Sequence, residues 1–565
     1  MKGKKLLTLV VAGAMVSTAL LFGGCSKSTT PDTTKTADTT KIDADQTINL
    51  VGYDYTSLDS GKVSDAESIT AIGNTLEGLY VEGKKDGKIV EIPAGAESYT
   101  TNSDKTVYTF KLRKDAKWSD GQPVTAKDYV YSWERLTNPN TGSDYMTILA
   151  DLGVKNADKI SDPDVKADPT TLGVKAVDDY TFEVTLAQAN PAFQAALAFN
   201  LLAPMRQDIV TKLGDKYGVD YKNMVYNGAF VVSDYQKGSK LVFKKNDSYW
   251  DAKNVKLQTA VCNILDEPNT IVKMFENGEL DVAGASKDNI KKLEDEAKQK
   301  GTFAETTGTT PSTSYYIFNT TNKYLSNAKV RKALSLGYDR QTQINAVWKR
   351  YIPAYGLIPP AITVGSKEFR GATPEPLKNS KDDAKKLMQE GLSELGITDA
   401  SSVHLKLLMG QSSSTTTAQA QFIQNQWEKL GIKIDITYSV DSPTYFKDRS
   451  KGNFDVVSGG WGMDYNEPNN FLGTFASTSG NNNGKYSNPK VDSLIKAAST
   501  ELDDAKRLKD YQDIENTIVN VDAAVSPYLY QDIHSFKYNY VKGFYIPQFG
   551  PYFYLKNVYI QGKTK

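Results

Sequence analysis

The residues best placed to do chemistry lie in the run FDVVSGGWGMDYNEPNNFLGTF, residues 454–475. Phe454, Val456 and Ser458 alternate as a strand entering Gly459-Gly460. Two glycines at a strand end let another backbone come close, because no Cβ stands in the way. Trp461 and Asp464 follow, and Tyr465 and Pro468 fix a turn. This combination suits recognition more than catalysis. An open strand edge offers main-chain hydrogen bonds to any extended chain, and an acid at its end pairs with an ammonium group. Without further context, Asp464 fits a turn-capping role better.

Such a site needs a frame. The body alternates strand-like and helix-like pieces, the pattern of α/β domains. Residues 48–53, 181–186, 240–244 and 433–438 read as strands, and 329–336, 381–390, 418–429 and 505–519 as helices. One unit is especially clear. A helix ending in Trp427-Glu428-Lys429-Leu430 stops at Gly431, a residue suited to the C′ position, and an alternating strand follows from Ile432. That strand is expected to be a parallel member of its sheet. Residues 108–139 read as strand, turn and helix: Tyr108, Phe110 and Leu112 share a face, and the chain turns at Asp120-Gly121-Gln122-Pro123. Thr125 then caps a helix that sets Val130 and Trp133 on one face. At 565 residues the chain exceeds one hydrophobic core, so at least two domains are expected.

Composition excludes several functions. Lys and Arg total 67 against 67 Asp and Glu, which gives no basic field, so no nucleic-acid partner is expected. The 33 Tyr and 20 Phe are mostly ordinary core and sheet residues. Two cysteines build no disulfide framework, and Cys262 sits in an apolar run as a small buried side chain. Only two histidines are available, so metal or haem ligation is poorly supported and no cofactor is expected. The phosphate-loop, zinc-protease, dithiol, dinucleotide and nucleophile-elbow motifs are all missing. Carboxylates are plentiful enough for a cell-surface hydrolase, the alternative from a different class, yet nothing singles out a pair.

The N-terminus reads as an address. Lys2, Lys4 and Lys5 precede an apolar stretch, residues 6–22, and Gly23-Gly24-Cys25 comes next. Residues 26–47 are rich in Thr, Lys and Asp and nearly free of apolar side chains, which describes a flexible tether. No later apolar run approaches membrane-spanning length.

Local strings carry a resemblance over nearly the whole chain. Beside 108–139 and 454–475 they include Ser57-Leu58-Asp59, Leu76-Glu77-Gly78-Leu79, Asn227-Gly228-Ala229-Phe230 and Ser248-Tyr249-Trp250. Asn277-Gly278-Glu279-Leu280-Asp281, Val330-Arg331-Lys332-Ala333-Leu334 with Asp339-Arg340, and Pro353-Ala354-Tyr355-Gly356 complete the set. Each is weak alone; their shared order resembles the family 5 extracytoplasmic solute-binding proteins that feed peptide ABC importers. The resemblance implies an α/β fold of two lobes, the type II, cluster C periplasmic-binding-protein architecture, with an extra α/β domain. Lobe I would comprise 45–76, 205–313 and 533–565, the extra domain 77–204, and lobe II 314–532. It also implies an oligopeptide ligand held between the lobes and ABC permease subunits as partners. The protein would be a monomer on the extracytoplasmic face of the bacterial cell membrane. Residues 1–24 resemble a lipoprotein signal, with Cys25 acylated and 25–44 as tether, although Phe22 stands where such signals favour Leu.

The resemblance also assigns site roles. Asp464 would pair with the peptide's α-amino group, the backbone at Gly460 and Gly462 would hydrogen-bond the peptide, and Trp461 would wall the site. Arg449 would lie near the ligand's carboxyl end, Tyr145 in a side-chain pocket, and the loop 63–66, with Val63 and Asp65, along the peptide backbone. Two positions depart from the family pattern: Ser458 replaces an arginine and Thr416 a histidine. How the peptide C-terminus is held therefore stays open, with Lys349 and Arg350 as substitutes. Nutrient peptide and signalling peptide remain alternatives, because both present the same termini.

Overall fold

In the computed structural model, residues 41–85, 88–285 and 288–564 are described. The address segment, Cys25 and most of the expected tether lie outside the described residues. No helix among the described residues is long and apolar enough to cross a membrane.

Among the described residues three sheets of four or more strands build the molecule, beside three two-stranded pairs. The first sets Thr47–Gly52, Thr259–Ile264, Lys240–Lys245 and Phe230–Gln236 side by side, the first pair parallel and the others antiparallel. Ile48, Leu50, Phe243 and the free Cys262 are buried in its core, as the alternation of these strands requires. The second sheet is antiparallel, in the order Ala96–Thr101, Val107–Leu112, Thr181–Thr185, Val174–Asp178. Tyr108, Phe110 and Leu112 face its core together. The helix Ala126–Thr137 packs there through Trp133, whose Nε1 donates to the Leu202 carbonyl at 3.0 Å, and Val130 lies partly buried against the same core. Thr125 opens that helix in a capping box: Asp128 Oδ2 accepts from the Thr125 N–H at 2.8 Å.

The third sheet has seven strands. Val282–Gly284, Val525–Tyr538, Phe303–Phe318, Val456–Gly462, His404–Gln411 and Lys433–Ser439 follow in that order, and Ile352–Pro353 pairs with Val525–Tyr538 off this path. Gly431 takes φ +96° after the helix Ser414–Trp427 and its final turn, and Lys433–Ser439 then pairs in parallel with His404–Gln411. That helix begins four residues before the expected 418, because Ser413 and Thr416 form a capping box. Likewise the helix expected from 381 starts at Ala384, where the Asp383 side chain accepts from the Lys386 N–H.

Phe303–Phe318 and Val525–Tyr538 are the long members, pairing as an antiparallel ribbon that joins two bodies. At one end Phe303 and Phe536 enter a small cluster beside Val272 and Phe275; at the other Tyr315 and Tyr316 enter two separate cores. The register shifts between Thr309 and Thr313, a bulge midway along the ribbon. The chain's late residues return to the first sheet: Gln46 exchanges hydrogen bonds with Ile560 at 2.8 and 3.0 Å, and Lys563 meets the buried Asp281 at 2.8 Å.

Candidate ligand-binding site

A cleft of about 590 Å³ opens where the ribbon bulges. Thr310, Pro311, Gln531 and Ile533 form its floor; Ser64, Ala66 and Tyr145 stand on one side and Gly462, Met463 and Asp464 on another. Residues 544–553 run along it as an aromatic-rich strap, with Phe544, Phe549 and Tyr552 on the wall.

The strand Val456–Gly462 reaches the cleft because it pairs antiparallel with the ribbon, Gly462 opposite Ser312, and ends with the Met463 N–H donating to the Pro311 carbonyl at 2.9 Å. Asn470 then fixes the turn. Its Oδ1 accepts from Trp461 Nε1 and from the Asp464 N–H, both at 3.2 Å. Below it Glu467 pairs with Arg507 at 3.0 Å in the interior.

Asp464 is half-buried, open to the cleft and crowded elsewhere. Its Oδ1 accepts from the Tyr145 hydroxyl at 2.7 Å and its Oδ2 from Asn470 Nδ2 at 3.3 Å. Desolvation raises the carboxyl above its ordinary value, and those two hydrogen bonds oppose the rise only in part. No lysine or arginine contributes. Desolvation and then the Asp464 charge push the Tyr145 hydroxyl up in turn. Asp151 reaches water, yet its crowded surroundings and then the Asp464 charge push its carboxyl up to about 6. The site is an acidic pocket with hydrogen-bond donors and no counter-ion: it suits a cation from outside.

The other expected residues divide. Gly462, like Tyr145 and Asp464, lines the cleft. Gly460 lies two residues deeper in the ladder, opposite Ser314; a Cβ there would come within 2.9 Å of the Thr313 carbonyl oxygen. Trp461 turns to Asn470 and the neighbouring core, and Arg449 packs on the glycine pair with Nη2 3.5 Å from the Gly460 carbonyl. Neither side chain is on the cleft wall. Val63 is 3% exposed and belongs to the core. Asp65 caps the helix Ala66–Thr75, accepting from the Ser68 N–H at 2.7 Å. The loop 63–66 therefore meets the cleft through Ser64 and Ala66 instead.

At the two departures the structure supplies no cation. Ser458 Oγ accepts from Gln419 Nε2 at 2.9 Å and lies 3.2 Å from the Tyr528 hydroxyl; Thr416 serves its capping box. Lys349 pairs with Asp288 at 3.5 Å. Arg350 does line the cleft, with its guanidinium 4.4 Å from the Tyr351 ring centroid and donating to the Ala285 carbonyl at 3.2 Å. Sequence reading missed the strap and the ribbon floor. The run of aromatics and prolines at 544–555 was the available signal for the strap. Among the described residues no group of three or more His, Cys, Asp or Glu is arranged to hold a metal ion.

The family model for bacterial extracellular solute-binding proteins, family 5 Middle, matches residues 91–483. The periplasmic oligopeptide-binding protein OppA of Salmonella typhimurium is 34% identical over 514 residues, covering 90% of this chain and 91% of that protein. Among solved structures, Listeria monocytogenes OppA bound to peptide superposes with a TM-score of 0.76 at 31% identity, covering 92% of this chain and 100% of that one. Haemophilus influenzae OppA in complex with the peptide RPPGFSPFR gives 0.78 at 30% identity, with the same coverage.

Proposed function

The chain belongs to the bacterial extracellular solute-binding proteins of family 5, and from that premise we propose that it captures extended oligopeptides between its lobes and delivers them to an ABC importer. The observation that carries this reading is Asp464, a carboxylate on the cleft wall whose partners are all neutral. A peptide's α-ammonium supplies the missing charge, and the backbone beside Gly462 and the loop 63–66 supplies sequence-independent hydrogen bonds. The cleft's size and open strand edge favour a chain over a small solute.

The lobes follow the segments 45–76, 205–313 and 533–565 against 314–532, with 77–204 as the extra domain. The boundaries after 313 and 532 fall within the two ribbon strands beside the bulge, where bending costs least. Cys25 is acylated and anchors a monomer to the extracytoplasmic face of the membrane through the tether. The protein binds its peptide without cleaving it, so mass spectrometry after incubation finds the peptide intact. Calorimetry with one pentapeptide, free and N-acetylated, tests the central claim. The free form binds and the acetylated form binds far more weakly; equal affinities would remove the ammonium reading.

A further inference from the structure

A narrow pocket of about 30 Å³ lies against the cleft, with Asp464 lining both. Phe199, Gln548, Phe549 and Gly550 also wall both spaces. Val90 and Ala198 wall it, and Glu82 and Glu91 stand along it. These two glutamates are direct cross-strand partners in the hairpin Tyr80–Lys85 and Lys88–Pro93, where like charges repel. Glu82 is 8% exposed. Its oxygens accept the N–H groups of Gln548 and Phe549 at 3.0–3.1 Å, but among the described residues no lysine or arginine lines the pocket. Desolvation, with the Glu91 charge adding to it, pushes the Glu82 carboxyl up to about 7. Glu82 is a buried acid opposite the exposed Glu91, with no ion-pair partner among the described residues, an arrangement that is costly when empty and favourable once a cation arrives.

Apolar walls leading to carboxylates match one ligand shape, an aliphatic stem with a cationic head. Asp464, the carboxylate that holds the α-ammonium, lines both spaces, so the group nearest this pocket is the side chain of the ligand's first residue. We propose that this pocket selects peptides whose first residue is lysine or arginine, its stem lying along Val90 and Ala198 and its charged head meeting Glu82 and Glu91. This assignment rests on the reading of Asp464 as the ammonium site.

The test uses pentapeptides identical except for the first residue, lysine, norleucine or glutamate, titrated calorimetrically into the wild type, Glu82→Gln and Glu91→Gln. Lysine-first peptide binds the wild type about tenfold more tightly than norleucine-first, and glutamate-first binds most weakly. Glu82→Gln keeps an oxygen to accept the strap's N–H groups and cuts the lysine advantage to about twofold; Glu91→Gln cuts it partway. Moving the lysine to the third position abolishes the advantage. Equal affinities for lysine-first and norleucine-first peptides, or an advantage that survives both substitutions, would overturn the proposal. The norleucine-first peptide, free against N-acetylated, separates the two readings. A loss on acetylation with no lysine preference sinks this pocket alone, whereas no loss sinks the ammonium site and this pocket with it.

Discussion

Asp464 and Glu77 are both carboxylates in dense surroundings, and both lie in short strings of the same family pattern, yet the fold treats them differently. Glu77 is 5% exposed and served from within the chain: the Tyr249 hydroxyl and Trp250 Nε1 donate to it, the latter at 2.6 Å, and Lys556 stands 3.8 Å away. Lys556 is itself held by the Tyr249 hydroxyl at 2.6 Å and by Asp251 at 3.4 Å. Asp464 has two neutral donors and an open side. Desolvation raises the carboxyl of each; for Glu77 the Lys556 charge is the foremost opposing influence, and Asp464 has no such charge. The identity of the residue does not tell structure from function. The source of its counter-charge does.

Breaking the open site has the largest expected effect. Asp464→Asn weakens binding of free-amine peptides by about 2–5 kcal/mol, the cost of truncating one partner of a buried charged pair. N-acetylated peptides lose little more, and the melting temperature does not fall. Calorimetry on the four combinations with thermal unfolding checks this; equal losses for both peptides would return Asp464 to a turn-capping role. Breaking the closed site shifts the effect to stability. Glu77→Gln leaves Lys556 to Asp251 and weakens the Tyr249 and Trp250 hydrogen bonds, costing about 2 kcal/mol in denaturant unfolding, while the folded variant binds peptide as the wild type does. A binding defect without a stability loss would erase the contrast.

The pH response is the smallest effect and sharpens the comparison. Asp464 must be ionised to pair with an ammonium, and its carboxyl in the empty cleft lies above the usual value of 3.8. Affinity for free-amine peptides therefore falls at less acidic pH than an ordinary aspartate would give. The empty protein does the reverse: its folded form holds the Asp464 proton more tightly than the unfolded chain, so this group adds stability as pH falls through the raised value. Titrations between pH 7 and 4 should show a fall in affinity that Asp464→Asn lacks.

Local signals were legible because local physics decides them. The alternation of Tyr108, Phe110 and Leu112, the cap at Thr125 and the stop at Gly431 each depend on neighbours within a turn or two. The ribbon was not, because Phe303–Phe318 carries seven threonines and serines with Pro311 among them and pairs with a strand over 200 residues later. Its strand character comes from that pairing and not from its own pattern. At the site, Asp464, Gly462 and Tyr145, named from the family strings, line the cleft. The Asp65 side chain caps a helix, a role that an Asp just before a helical run signals by itself. The Arg449 and Trp461 side chains lie off the cleft wall, because a motif gives order along the chain, not the face on which a side chain leaves it.

The bond pair between Gln46 and Ile560 carries a consequence for synthesis. Gln46, just before the first sheet's opening strand, waits for a partner made some five hundred positions later, and at about 5–20 residues per second that wait is roughly half a minute or longer. Until then the buried Asp281 also lacks Lys563, its ion-pair partner. Contacts of such separation fold slowly. For a member of an extracellular family the delay is useful: a chain that cannot seal itself early stays loose enough to be threaded through a membrane before it becomes a receptor.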